Sequence, residues 1–221
     1  MGKKKGDSNS LSKEIYNRLR ESITYGYLNP GEKIVASKLE KDFGASRTPI
    51  REAIKQLESA GYVEIFHNKG AFVKKTSPEE VERVYDILSV LESHAAKLAA
   101  KNITDQQIDG LEQLNNTLKE CRDLNRYKEY VEKNSEFHLR ICKICGNDLL
   151  EILISGLRDR VYRYRFLGIT VPGHIEEFIS DHENILQALR ERDILKTEEN
   201  MMHHILRLKK ILVIFLGEFQ F

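Results

Sequence analysis

The chain has 221 residues, 41% of them hydrophobic and 31% charged, with 13 glycines and 4 prolines. That composition excludes collagen-like, low-complexity and wholly disordered classes, and it leaves enough apolar material for one large packed domain or two modest ones. No run approaches the roughly 18 apolar residues that a bilayer span needs; the longest is Ile211 to Leu216, so a soluble protein with no membrane partner is expected. Three cysteines, an odd number, point away from a disulfide framework and toward a reducing compartment, and the expected location is cytoplasmic.

Residues 1–10 have no apolar stretch behind their lysines, which argues against an export signal, and Gly6 stands where a myristoylation site needs Ser or Thr. They read as a disordered arm. The net charge of +1 hides an asymmetry: residues 1–76 hold 15 Lys/Arg against 9 Asp/Glu, a net of +6, and residues 77–221 hold 20 against 25, a net of −5. A basic first segment suits a polyanion such as DNA.

In chain order, Ile15, Leu19 and Ile23 give residues 11–26 a helical apolar stripe, and Asn29-Pro30-Gly31 makes a turn. A short helix is predicted from about Val35 to Phe43, and Gly44 permits the reversal that a helix-turn-helix requires. The next helix takes Ser46 as its N-cap, tolerates Pro49 in its first turn, and buries Ile50, Ala53, Ile54 and Leu57. Arg47, Arg51 and Lys55 then share the opposite face. This is the layout of a recognition helix, in which an arginine fork can bond guanine O6 and N7 together while Ser46 and Thr48 reach phosphates or base edges. Two short strands, Tyr62–Phe66 and Ala71–Lys75, are joined by His67-Asn68-Lys69-Gly70, a basic hairpin that reads as a wing with His67 and Lys69 at its tip.

At Ser77-Pro78-Glu79-Glu80 a cap, a first-turn proline and a capping-box Glu open a new helix, whose stripe runs Val81, Tyr85, Leu88, Leu91, Ala95, Leu98. Thr104 with Gln107 repeats the capping box. Gly146-Asn147-Asp148 breaks and restarts a helix, Val171-Pro172-Gly173 marks a loop, and Asp193 caps the last long helix. About six helices and no strand follow residue 77.

Three of the seven histidines fall in predicted apolar stripes: His138 with Ile141 and Cys145, His182 with Phe178, Ile185 and Leu189, and His204 with Met201, Leu208 and Ile211. An inward histidine is ordinarily a hydrogen-bonded core residue, but three on separate helices could converge on a metal, and Asn134 puts an oxygen one turn before His138. Cys142-Lys143-Ile144-Cys145 lacks the second pair of a structural zinc site and reads as packing. His203 should face outward, and His174 is a spare loop ligand.

Two resemblances sharpen this. Gly26-Tyr27-Leu28-Asn29-Pro30-Gly31-Glu32-Lys33-Ile34, Phe43-Gly44-Ala45-Ser46-Arg47-Thr48-Pro49-Ile50-Arg51-Glu52-Ala53-Ile54 and Leu57-Glu58-Ser59-Ala60-Gly61-Tyr62-Val63 resemble the DNA-binding domain of GntR-family bacterial transcription regulators. The resemblance implies that Arg47, Thr48, Arg51 and the wing residues His67 and Gly70 touch operator DNA. Ala36, where many members carry Glu, and Ser37, where some place a DNA-contacting Arg, depart from it. Residues 78–215, through Asn134-Ser135-Glu136-Phe137-His138, Gly146-Asn147-Asp148-Leu149-Leu150, Asp181-His182-Glu183-Asn184-Ile185-Leu186-Gln187-Ala188-Leu189 and on to His204, resemble the FadR-type C-terminal domain. That resemblance implies a divalent metal of the Zn, Ni or Mn type on Asn134, His138, His182 and His204, with Asn134 in the place of an Asp. It also implies an organic-acid or sugar-acid effector. Leu88 stands where related domains often carry an effector-binding Arg; Arg158 to Arg165, Tyr162 and Tyr164 are alternatives, although on a helix most should be solvated.

The fold class expected is therefore mainly α, an N-terminal winged helix-turn-helix over residues 11–76 and a C-terminal all-α bundle over residues 77–221 that binds ligand and dimerises. The expected function is a ligand-responsive repressor, not an enzyme, reading an inverted repeat as a homodimer. The rival is a metal-dependent enzyme on the helical half, for which no placed general base stands out.

Overall fold

The structure is a computed structural model, describing residues 5–75, 77–170 and 173–219. The chain divides into two compact units that meet between residues 76 and 77.

The first unit is built from α1 (Lys5–Thr24), β1 (Lys33–Ile34), α2 (Ala36–Phe43), α3 (Arg47–Ser59), β2 (Val63–Phe66) and β3 (Gly70–Val73). Ile15, Leu19 and Ile23 of α1 meet Ile50, Ala53, Ile54 and Leu57 of α3 in one apolar cluster, closed by Leu39, Val63, Ala71 and Val73. Gly44 takes a left-handed φ of 57° at the end of α2, a conformation that costs a side-chain-bearing residue energy, and this turns the chain into α3. Asn68, with φ 62°, makes the equivalent reversal in the hairpin.

Three expectations are corrected here. The arm expected over residues 1–10 gives way to helix from Lys5, because no proline interrupts the chain before Pro30 and α1 simply extends backwards. The wing strands are shorter than predicted, and a third strand joins them: β1 pairs antiparallel with β3, Lys33 opposite Phe72 and Ile34 opposite Ala71, in the order β1-β3-β2. Two residues are too few to display an alternating pattern, and the partner of β1 lies far along the chain, so nothing local announces it.

The second unit is all helical: α4 (Pro78–Asn102), α5 (Asp105–Asp123), α6 (Tyr127–Ile144), α7 (Asp148–Arg160), α8 (Tyr162–Thr170), α9 (His174–Arg190) and α10 (Ile194–Phe219). Its starts are set by local chemistry. Ser77 Oγ accepts from the Glu80 amide, Thr104 and Gln107 form a full capping box, Asn147 accepts from the Leu150 amide at 3.1 Å, and Asp193 accepts from the Lys196 amide at 2.9 Å. Seven helices are described rather than about six, because the chain turns at Val161 and separates α7 from α8. The loop predicted at Val171-Pro172-Gly173 falls partly outside the described residues; Gly173 caps α9 with φ 87°. Gly168 of α8 is the site of a close approach: a Cβ there would stand 2.8 Å from Leu208 Cδ1 and 3.1 Å from Leu212 Cδ2 of α10.

Candidate functional site

In the first unit, α3 and its N-cap divide as the sequence predicts: Ile50, Ala53, Ile54 and Leu57 are buried, while Ser46, Arg47, Thr48, Arg51 and Lys55 are exposed. Ser46 sits at the N-cap in extended conformation but its side chain makes no capping hydrogen bond. The Arg47 side chain is 82% exposed, and its Nε donates to Glu40 Oε1 at 3.0 Å. A surface pair of this kind is worth little, so it leaves the guanidinium on an open face and exchangeable for a stronger anion. His67 and Gly70 are exposed in the β2–β3 hairpin.

In the second unit, His138 of α6, His182 of α9 and His204 of α10 are all buried, and one nitrogen from each lies within 4.8 Å of the others. Phe137 stacks on His182 with centroids 4.2 Å apart, and Phe178 meets His204 edge-on at 5.9 Å. Asn134 is buried one turn before His138 on the same helix. His174 begins α9 instead of lying in a loop and stands 3.4 Å from Glu177; the His203 side chain is exposed.

Glu92 of α4 organises the cluster, and sequence reasoning passed over it. Its side chain is 1% exposed; Oε2 accepts from His138 Nδ1 at 2.7 Å, and Arg158 Nη1 of α7 donates to both of its oxygens at 2.6 and 2.7 Å. Burial alone would raise the Glu92 pKa, but the Arg158 guanidinium and His138 outweigh it and hold the carboxyl well below the usual range. Burial, with the Arg158 charge, pushes His138 down to about 3, and burial beside the other two imidazoles pushes His182 well below its ordinary value. Both rings are therefore neutral near pH 7. The signal for Glu92 was present: it occupies the core stripe Tyr85, Leu88, Glu92, Ala95, a carboxylate where the pattern calls for an apolar residue.

The expectation that the arginines from 158 to 165 are mostly solvated is corrected for two of them. Arg158 is 4% and Arg165 2% exposed. Arg158 continues the stripe Leu150, Ile154 on α7, and a carboxylate three helices earlier, 66 positions away in the chain, compensates it, which no local pattern shows.

The imidazoles fit a divalent cation. With Glu92 ionised and acceptor-only, His138 Nδ1 carries the proton and its Nε2 presents a lone pair. That lone pair faces His204 Nε2 at 3.2 Å, close to the roughly 3.3 Å between ligand nitrogens of a tetrahedral site with metal–nitrogen bonds of about 2.05 Å. If His204 instead donated from Nε2, its bare Nδ1 would face the Asp181 carboxylate at 3.4 Å. His182 has no hydrogen-bond partner on either ring nitrogen. A buried cation would satisfy all three rings at once.

The two units together define a DNA-binding regulator with a helical sensing domain. Residues 11–73 match the model for bacterial regulatory proteins of the gntR family, and residues 83–207 match the FCD domain. The chain belongs to the GntR family and carries an FCD effector-binding domain. It is 27% identical to the uncharacterized HTH-type transcriptional regulator YdhC of Bacillus subtilis over 86% of each chain. It is 27% identical to the HTH-type transcriptional repressor RspR of Escherichia coli over 88% of this chain and 86% of that one. Escherichia coli McbR/YncC shares the fold, with a TM-score of 0.77 over 91% of this chain and 96% of that one at 24% identity. These relatives are transcription regulators, not enzymes. Among the described residues no helix is long and apolar enough to cross a membrane.

Proposed function

We propose that this chain is a cytoplasmic, ligand-responsive transcriptional repressor, with residues 11–76 as its DNA-binding domain and residues 77–221 as its effector-binding and dimerisation domain. One recognition helix contacts too few base pairs for useful specificity, so two copies related by a two-fold axis read an inverted repeat. Ser46, Arg47, Thr48 and Arg51 take the major groove, and His67 and Gly70 lie along the flanking backbone. Support for a second copy comes from apolar side chains exposed on two helices that pack together, Ile87 and Val90 of α4 with Leu149, Ile152 and Leu153 of α7.

The observation that carries the sensing half is the 3.2 Å approach of His138 Nε2 and His204 Nε2 beside a His182 with no partner. Our reading is that His138, His182 and His204, with the Asn134 amide oxygen, hold a divalent ion of the Zn, Ni or Mn type. A neutral amide offsets less of the cation's charge than a carboxylate does, so the ion is held more weakly than with Asp at that position. When bound, the metal supplies an open coordination position for an effector oxygen. The effector is a small organic acid whose binding repacks the helices and alters the spacing of the two DNA-binding heads.

Titration of the full-length protein against random duplex over a range of salt, with metal quantified in protein purified without chelator, tests both halves. A logarithmic salt slope near −0.9 per phosphate neutralised is expected for DNA binding. Salt-independent or absent DNA binding would overturn the regulator reading, and a metal content well below one per chain after zinc loading would overturn the metal site.

A further inference from the structure

Glu40 and Arg47 face each other across the turn between α2 and α3, and the surrounding chain holds both in place. The Glu40 carbonyl accepts the amides of Gly44 and of Ala45, the latter at 3.2 Å, so its backbone is tied to the turn that leads into α3. Leu39, beside it, is buried in the apolar cluster, and Phe43 packs against the same cluster one turn later, which fixes the rotation of α2. Arg47 is the first residue of α3, so both ends of the contact stand on helical backbone rather than on a loop.

Folding does not account for the pair. The Arg47 side chain is 82% and the Glu40 side chain 29% exposed, and an ion pair that open to water adds little stability. Attraction to a polyanion does not account for it either. Residues 1–76 carry a net charge of +6, and a carboxylate beside a face that meets phosphates subtracts from that attraction. What the contact does is geometric. It engages Arg47 Nε at 3.0 Å and leaves the Nη1–Nη2 edge, the open end of the fork, for a second pair of acceptors such as guanine O6 and N7.

We propose that Glu40 is a positioning residue for operator reading, aiming the Arg47 fork at a base edge and penalising its use on phosphate. This rests on the reading of the first unit as a DNA-binding domain and assigns it a specificity-determining residue outside α3. With Nε held, Arg47 loses less rotamer freedom when it meets a base. A phosphate approaching the Nε side must displace Glu40 or lie beside its charge, so the penalty falls on sequence-independent binding. Both effects grow as the interface sheds water, because the local dielectric falls.

The test measures equilibrium binding of full-length protein, at one fixed salt concentration, to an operator selected from a random library and to random duplex. Glu40→Ala should lower the ratio of operator to random-duplex affinity about tenfold, the usual weight of a hydrogen bond to a charged group. It should raise affinity for random duplex about two- to fivefold by removing a like charge. Glu40→Gln keeps an acceptor for Nε without the charge, so it should raise random-duplex affinity similarly and lose less of the ratio. In an Arg47→Ala background, Glu40→Ala should change the ratio by less than about twofold, because its effect passes through the guanidinium. Melting temperatures of both Glu40 variants should match the parent's.

A ratio unchanged by Glu40→Ala, a fall in random-duplex affinity, or an undiminished effect once Arg47 is gone would each overturn the assignment. So would a Glu40→Gln as unselective as Glu40→Ala, or a large drop in melting temperature, which would make Glu40 a structural residue. Failure of the underlying reading looks different. Absence of salt-dependent binding to any duplex sinks the DNA-binding domain, whereas selective, salt-dependent binding that ignores Glu40 sinks the positioning role alone.

Discussion

His138 Nδ1 and Glu92 Oε2 lie 2.7 Å apart in the core of the helical unit, with neither side chain more than 1% exposed. This contact fixes which nitrogen of His138 bears the proton and therefore which one is turned toward His182 and His204. The same carboxylate neutralises Arg158, so one residue of α4 ties α6 and α7 together.

Removing that charge tests the arrangement. Glu92→Gln leaves Arg158 buried without a counterion, and breaking a buried pair from one side costs about 3–5 kcal/mol. Urea unfolding of the variant should show a loss of that order, with zinc affinity down about 10- to 100-fold because His138 loses its orienting acceptor. A loss below about 1 kcal/mol would mean that solvent already compensates the pair.

Acid should destabilise the chelator-treated protein. An unfolded histidine takes up a proton near pH 6.5, whereas the folded protein holds His138 down to about 3 and His182 lower than normal. Between those values the unfolded state binds more protons, so stability is complete above about pH 6.5 and falls by up to ~1.4 kcal/mol per pH unit for each ring as pH decreases. Glu92, whose carboxyl is held low, adds a further loss below its unfolded value of about 4.3. Urea midpoints that stay flat from about pH 7 to about pH 5 would contradict the neutral, buried state of the two rings.

On the DNA side, Arg51→Ala and Lys55→Ala should fail differently. For an operator selected from a random library, Arg51→Ala should lose about 1–3 kcal/mol of discrimination against a mismatched base pair and little affinity for random duplex. Lys55→Ala should weaken both alike and make the salt slope shallower by about 0.9. Equal losses on both DNAs for Arg51→Ala would show that it contacts only phosphate.

Restoring a carboxylate by Asn134→Asp should tighten zinc binding by on the order of tenfold, since affinity follows the charge count of the ligand set. Competition with a chromophoric chelator measures it. Unchanged affinity would place Asn134 outside the ligand set.

Much of this architecture could be read locally. The caps at Ser77, Thr104, Asn147 and Asp193, the reversal at Gly44, and the burial of Ile50, Ala53, Ile54 and Leu57 against an exposed Arg47 and Arg51 depend on residues a few positions apart, where hydrogen-bond chemistry and helical period act directly. The inward direction of His138, His182 and His204 followed from the same periodicity.

By itself, then, the sequence determined the order of the helices, their starts and their apolar faces. Only the tertiary structure decided which polar groups on those faces meet: Glu92 with Arg158 across 66 positions, His138 with His204 across another 66, Arg165 with Ser135 across 30, and β1 with β3. The reason is physical. A polar residue on an apolar stripe is stable only with a partner that satisfies it, and periodicity specifies the direction of a side chain without specifying what waits there.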